Sequence, residues 1–192
     1  MPPKAKFTRD EIIEAALSIV KEFGFDALTA RALGTKLGSS ARPIFTVFEN
    51  MDEVQREVIM AAKLLYKEYI NNGLCQTEVP AFKGVGMQYI QFAITNSKLF
   101  QMLFMSAQIK KPTITNVLPI IDDSYPQILS SIQNCYSLTP SDSEWLYRHL
   151  WIYTHGIAVL CATNICTFTM KEIGKMLTEV CTAMLKEIKG RC

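Results

Sequence analysis

The chain is 192 residues long, which allows one large domain or two small ones. Its composition is 49% hydrophobic and 20% charged, so it can bury a sizeable core, and an intrinsically disordered protein is excluded. The formal net charge is +2, too small for bulk charge alone to indicate a nucleic-acid-binding protein.

The first predicted helix runs from about Arg9 to Phe23. Thr8 and Glu11 match the capping-box pattern, in which each side chain satisfies a free backbone amide of the other residue. Apolar residues then recur at helical spacing, and Gly24 is suited to the left-handed conformation that ends a helix.

Two short helices are predicted next, on either side of a turn at Gly38. Thr29 is a good N-cap for the first of them. Ser39 and Ser40 can cap the second, which tolerates Pro43 because amides in the first turn have no intrahelical partner. The side chains expected in the core between these helices are Leu33, Leu37, Ile44, Val47 and Phe48.

A longer helix follows, capped by Asn50 and predicted to end at Asn71-Asn72-Gly73. Two short helices joined by a tight turn, with a longer helix on each side, have the spacing of a helix-turn-helix unit. In that unit the second short helix enters the major groove of DNA, with its N-terminal residues nearest the base edges. We therefore expect DNA contacts from Ser39, Ser40, Ala41, Arg42 and Pro43, with Thr29, Lys36, Phe45 and Thr46 at the flanks.

The local charge is compatible with this expectation. No acidic residue occurs from Ala27 to Phe48, and an N-terminal arm adds Lys4, Lys6 and Arg9. Such a surface can neutralise phosphates, although an ordinary solvated face has the same composition. Within the residues nearest the bases, only Arg42 can make a bidentate contact with guanine; a phosphate contact or a solvated side chain is the alternative.

Beyond this unit the pattern remains helical. Helices are predicted over 79–98, 99–108, 126–136 and 140–164, and a last one begins at a second capping box, Thr169 with Glu172. No charged side chain occurs between Arg148 and Lys171, but His155 and several polar residues interrupt this stretch. A membrane span needs roughly 20 predominantly apolar residues, so we expect a buried helix followed by a turn, and no membrane contact.

Neither a metal site nor an enzyme is predicted. The six cysteines are irregularly spaced, with no CxxC pair and no histidine at ligand spacing. The sequence contains no Gly-rich phosphate loop and no recognisable catalytic motif, so no cofactor is expected. Since no apolar targeting segment occurs near the N-terminus, we expect a cytoplasmic protein with reduced cysteines, most of them buried.

A resemblance to the DNA-binding signature of the TetR family covers residues 29–48, TARALGTKLGSSARPIFTVF, and extends to the helix before them and to the start of the helix after them. It implies an all-α protein with a helix-turn-helix DNA-binding domain at 1–62 and a helical effector-binding and dimerisation domain at 63–192. Family members are usually homodimeric repressors that release DNA when a small molecule enters the second domain. A homodimer implies a near-palindromic operator, with half-sites about 34–36 Å apart.

The sequence departs from the family pattern at three places. Phe45 stands where a phosphate-binding tyrosine is common, Met51 where a lysine is common, and Leu33-Gly34 where Ile-Ala is usual. The first two changes remove hydrogen-bond donors that could have contacted the DNA backbone. A helical ligand-binding or scaffold protein that has lost operator recognition is therefore the alternative interpretation.

The C-terminal section is rich in aromatic and methionine side chains, which can line a pocket for a largely apolar effector or simply form the core. The candidate pocket residues are Phe92, Met102, Phe104, Met105, Tyr125, Trp151 and His155. The segment from Trp151 to Leu160 is similar to the penultimate helix of a TetR subfamily, and the family dimerises through its last two helices. The interface residues implied are Gly156, Ile173, Leu177, Val180 and Met184; for Gly156 a close contact within the chain is the alternative.

Overall fold

The computed structural model describes residues 6–76, 78–106, 113, 118 and 124–190. Regular secondary structure in this part of the chain is helical, which confirms the predicted all-α class. The helices are α1 (Arg9–Phe23), α2 (Ala30–Lys36), α3 (Met51–Leu74), α4 (Ala81–Thr95), α5 (Ser97–Phe104), α6 (Tyr125–Tyr136), α7 (Pro140–Ala162) and α8 (Met170–Lys189). Short 3₁₀ turns occupy Phe25–Ala27 and Ile44–Thr46.

The contacts between residues divide the chain into two compact units. Unit 1 comprises Met1–Tyr66 and Asn96–Ser106, and unit 2 comprises Lys67–Thr95 and Ala107–Cys192. Helix α3 runs through the boundary, and the short helix α5 belongs to unit 1. The functional division after residue 62 falls inside α3 and remains a prediction.

Both predicted capping boxes are present. At the start of α1 the Thr8 amide donates to Glu11 Oε2 at 2.7 Å, and the Glu11 amide donates to Thr8 Oγ1 at 3.2 Å. The Thr169 and Glu172 pair repeats this arrangement at the start of α8. The backbone hydrogen bond from Thr8 lowers the pKa of Glu11, because it stabilises the ionised carboxylate.

Unit 1 is built around α1, which packs against α2 and α5. Its apolar seam fits the helical spacing seen in the sequence, since every third or fourth residue of α1 is buried. The turn at Gly24 has φ +90°, a conformation that favours glycine, and it ends α1 where predicted. The largest fully buried side chains of this unit are Ile12, Leu33, Ile44, Phe48, Leu99 and Phe100.

The predicted end of α3 at residues 71–73 is wrong, because the helix continues through Gly73 to Leu74. Gly73 faces α4 there, and a Cβ atom on it would lie 2.7 Å from the carbonyl oxygen of Gly84. The glycine therefore permits a close helix crossing and does not terminate the helix. Helix α4 ends at Thr95, before the predicted residue 98, and α5 begins two residues later.

Unit 2 is organised around α7, which packs against α4, α6 and α8. The turn after α7 is a Schellman motif: the Ile165 amide donates to the Leu160 carbonyl at 3.0 Å, and Asn164 adopts φ +57°. The predicted buried helix followed by a turn is thus confirmed. Within the described residues, no helix has both the length and the apolar character needed to cross a bilayer.

The cysteines differ from expectation. Cys161 and Cys181 are buried, but Cys75, Cys135 and Cys166 are exposed, and Cys192 lies outside the described residues. Cys135 is the penultimate residue of α6, and Cys75 and Cys166 lie beyond the C-terminal ends of α3 and α7. The expectation that most cysteines are buried is therefore wrong.

Candidate DNA-binding interface

A side-chain cap and two glycines determine the conformation of helix α2 and of the turn after it. Thr29 caps the helix as predicted, with its Oγ1 accepting the Ala32 amide at 3.2 Å. Gly38 has φ +63°, so the turn needs a residue that tolerates the left-handed region. A Cβ on Gly34 would lie 2.8 Å from the carbonyl carbon of Ser40, so the chain after the turn crosses close over α2.

The segment expected to be the second short α-helix is instead a run of 3₁₀ turns. We call residues 39–46 the recognition segment. The amides of Ile44, Phe45 and Thr46 donate to carbonyls three residues earlier, at 3.1 to 3.2 Å. Pro43 accounts for part of the difference, because a proline disfavours the α conformation in the residue before it, here Arg42.

The 3₁₀ geometry determines which side chains face the core and which face solvent, since residues three apart in such a turn are eclipsed. Ile44 is fully buried and anchors the inner face. Arg42 and Phe45 are exposed and share an outer face, and Phe45 keeps 44% of its surface accessible. Among the residues that the structure describes, Arg42 has no ion-pair partner.

The candidate DNA contacts all belong to unit 1, where they lie on α2, at its N-cap and in the recognition segment. The exposed ones are Thr29, Lys36, Ser40, Arg42, Phe45 and Thr46, and the half-buried ones are Ser39, Ala41 and Pro43. Ser40 does not lie at a helix start, because no α-helix begins there. The Thr46 hydroxyl donates to the Pro43 carbonyl at 2.7 Å.

The basic residues of the N-terminal arm have different partners. Lys6 Nζ donates to Ser39 Oγ at 3.1 Å, which places its ammonium group beside the recognition segment. Arg9 instead donates to Glu57 at 2.7 Å and Glu53 at 2.9 Å, and hydrogen bonds to these carboxylates raise its pKa. The Arg9 charge is thus shared with two carboxylates of α3, and its contribution to a phosphate-binding surface remains a prediction. Lys4 lies outside the described residues.

The candidate pocket residues are divided between the two units. Met102, Phe104 and Met105 belong to unit 1, where the Phe104 ring packs edge-on against Tyr66 at 5.0 Å. Phe92, Tyr125, Trp151 and His155 belong to unit 2.

Two of the unit 2 candidates meet in one cluster. The Trp151 and His155 rings are stacked, 6° from parallel with centroids 4.9 Å apart. The hydroxyl of Tyr89 lies 2.8 Å from His155 Nδ1, and burial lowers the pKa of His155. Tyr89 belongs to the aromatic side chains of the C-terminal section that the sequence suggested for a pocket or a core, and its hydroxyl finds a hydrogen-bond partner, as a buried tyrosine usually does.

The candidate interface residues on α8 lie at different depths. Ile173 and Leu177 are buried in the core of unit 2, where Leu177 faces Gly86 of α4. Val180 and Met184 are half-buried. On α7, Gly156 is exposed, and no described atom lies within 4 Å of the position that its Cβ would occupy. Among the residues that the structure describes, none therefore makes the close contact that was the alternative for Gly156.

No family model matches the chain. A stretch of 54 residues is 33% identical to an uncharacterized HTH-type transcriptional regulator of Mycobacterium tuberculosis, and it covers 28% of this chain and 25% of that protein.

Within the described residues, no group of three or more His, Cys, Asp or Glu side chains is placed to hold a metal ion.

Solved structures match over nearly the whole length. A TetR-like transcriptional regulator from Rhodococcus sp. RHA1 has a TM-score of 0.64 at 14% identity, covering 97% of this chain and 99% of that one. A TetR-family member from Streptomyces coelicolor has a TM-score of 0.57 at 14% identity, covering 90% and 96%. The resemblance noted in the sequence is thereby confirmed, and the chain has the fold of the TetR family of transcriptional regulators.

Proposed function

We propose that this protein is a cytoplasmic transcription regulator that binds DNA sequence-specifically, and that its recognition segment enters the major groove of the DNA. One observation carries the proposal. Ile44 anchors the segment in the core while Arg42 and Phe45 point away from it, so the outward side chains are held on a rigid support. A base-reading residue needs that combination of accessibility and fixed position.

The charges around the segment favour a polyanionic partner. Residues 27–48 contain no acidic side chain, and Arg31 and Lys36 on α2 are exposed. Lys6 adds a positive charge beside Ser39. These side chains can neutralise phosphates on either side of the groove, which would make the affinity strongly salt-dependent.

The test is selection of binding sites from a pool of random duplexes by the full chain, followed by gel-shift titration at two salt concentrations. We expect an enriched near-palindrome that binds at least about 10³-fold more tightly than unrelated DNA, with affinity falling as salt rises. A folded protein that enriches no sequence would contradict the proposal and favour the ligand-binding or scaffold alternative.

The proposal includes a homodimer formed through α7 and α8. Gly156 is exposed on α7, and Ile152, one turn earlier, keeps 49% of its surface accessible. On α8, Val180 and Met184 are only half-buried in the single chain. An accessible apolar face with a glycine at its centre allows a partner backbone to approach closely.

Replacing Gly156 with leucine is the sharpest test of this interface. The single chain has open space there, so the variant should fold with normal helicity. In the dimer, the added side chain meets the partner backbone, and we expect the dimer dissociation constant to rise by at least about tenfold, a loss of about 1.4 kcal/mol.

Sedimentation velocity over a range of concentrations measures the change. Ser130→Leu, on an exposed position of α6 in the same unit, is the matched control and should leave the dimer intact. A Gly156→Leu protein that dimerises as tightly as the unsubstituted one would place the interface elsewhere.

The proposal also includes release of DNA by a small, largely apolar effector, so that the protein acts as a repressor. The supporting feature is the cluster of Trp151, His155 and Tyr89 in unit 2, which joins flat apolar surface to a hydrogen-bonded imidazole. Tyr125 forms a separate aromatic pair in the same unit, with its ring 5.6 Å from the Tyr147 ring. An effector bound there would release DNA if it favours the dimer geometry in which the two recognition segments no longer match the half-site spacing.

A further inference from the structure

We propose that Phe45 recognises thymine, by packing its ring against the C5 methyl group in the major groove, next to the base contacted by Arg42. This inference rests on the proposed DNA binding and specifies what the recognition segment selects. It assigns a reading role to a position where family members commonly carry a phosphate-binding tyrosine.

Phe45 is not one of the apolar side chains that anchor this region in the core. The apolar anchors of this region are its neighbours Ile44, which is fully buried, and Phe48, which is 2% exposed. Phe45 instead leaves 44% of its surface in water, on the face that it shares with Arg42. Exposed phenyl surface gains free energy only when a partner covers it.

The chemistry of the ring selects the partner. Phenylalanine has no hydrogen-bonding group, so it cannot replace the tyrosine hydroxyl at a phosphate. Among the base edges of the major groove, the thymine C5 methyl is the apolar group, and phenylalanine is one of the side chains that contact it. The absence of acidic side chains from residues 27–48 allows the segment to approach the duplex closely enough for such contact.

The 3₁₀ geometry also sets the spacing of the two contacts. Arg42 and Phe45 are three residues apart and eclipsed, so they are offset by about 6 Å along the segment at a rise of about 2.0 Å per residue. Successive base pairs are about 3.4 Å apart. A guanine contacted by Arg42 and a thymine contacted by Phe45 should therefore lie within about two base pairs of each other.

The experiment uses the duplex that the full chain selects from a random pool. Each thymine is replaced in turn by deoxyuridine, which keeps the hydrogen-bonding pattern and removes only the methyl group. We expect one thymine per half-site, within two base pairs of a guanine, at which this replacement weakens binding about fourfold, the loss expected for one buried methyl group. The Phe45→Ala protein should bind the thymine and deoxyuridine duplexes equally well.

Phe23→Ala is the matched control, because Phe23 is also an exposed phenylalanine of unit 1 and lies at the end of α1. That variant should keep the fourfold difference. A selected duplex in which no thymine responds to deoxyuridine would overturn the inference and leave the proposed function standing. A difference that survives Phe45→Ala would also overturn it, by showing that another residue reads the methyl group. Selection of no sequence at all would overturn both.

Discussion

Replacing Gly84 with alanine is expected to lower the free energy of unfolding by about 2 kcal/mol. Two effects compete at this site. Alanine improves helix propensity by about 1 kcal/mol, but its Cβ would overlap the Gly73 carbonyl oxygen. Forcing extra atoms into a packed contact costs up to about 3 kcal/mol. Because the obstruction is backbone, no side-chain rotation can relieve it. Denaturant unfolding followed by circular dichroism measures the change.

Gly174→Ala is the matched control for this prediction. Gly174 is also helical and in unit 2, but the nearest atoms to its added Cβ would be the sulfur and methyl carbon of Met87 at 3.7 Å, an ordinary contact. Helix propensity should therefore dominate, and stability should rise by about 1 kcal/mol. If Gly84→Ala is also stabilising, then α3 and α4 do not cross as closely as the structure shows.

The same glycines show where sequence reasoning succeeds and fails. Local signals that depend on neighbouring residues were sufficient: Thr8 with Glu11, and Thr169 with Glu172, each predicted a helix start that the structure confirms. The sequence allows two interpretations of Gly73, because a glycine can end a helix or can let two helices pack closely together. Only the position of α4, which is distant in sequence, decides between them.

The recognition segment shows a second limit. Helical spacing correctly predicted that Ile44 and Phe48 are buried. An apolar residue on the inner face is buried whether the backbone forms an α-helix or a 3₁₀ turn. Pro43 is tolerated in a first helical turn, as the sequence prediction assumes, but a proline also disfavours the α conformation in the residue before it, and the backbone forms 3₁₀ turns. The face shared by Arg42 and Phe45 follows from that conformation.

Helix α8 shows a third limit, which concerns interfaces. Ile173, Leu177, Val180 and Met184 form one apolar seam in the sequence, yet the first two are buried by α4 and α7 of the same chain and the last two are only partly covered. Periodicity identifies a face that must be buried but not the element that buries it. Gly156 is the more informative signal, because no described atom packs against this mid-helix glycine, and the proposed dimer would give it a neighbour.

Replacing Arg42 with alanine is expected to weaken binding to the selected operator on the order of 10³-fold. A bidentate contact with guanine contributes about 1–3 kcal/mol of discrimination, and the proposed homodimer would lose one such contact in each half-site. Arg42 has no ion pair with any described residue, so its removal should leave the stability of unit 1 unchanged. Gel-shift titration against the operator and against duplexes with each guanine replaced measures the loss and locates the base.

Arg42→Lys and Lys36→Ala separate base recognition from phosphate binding. Lysine keeps the charge but lacks the planar pair of donors, so Arg42→Lys should retain the salt dependence and lose discrimination at one guanine per half-site. Lys36 is exposed on α2, and Lys36→Ala should weaken binding to all sequences alike and reduce the salt slope by about one for each lost phosphate contact. If Arg42→Ala behaves like Lys36→Ala, Arg42 binds a phosphate, and base recognition by the segment must come from Phe45 and its polar neighbours.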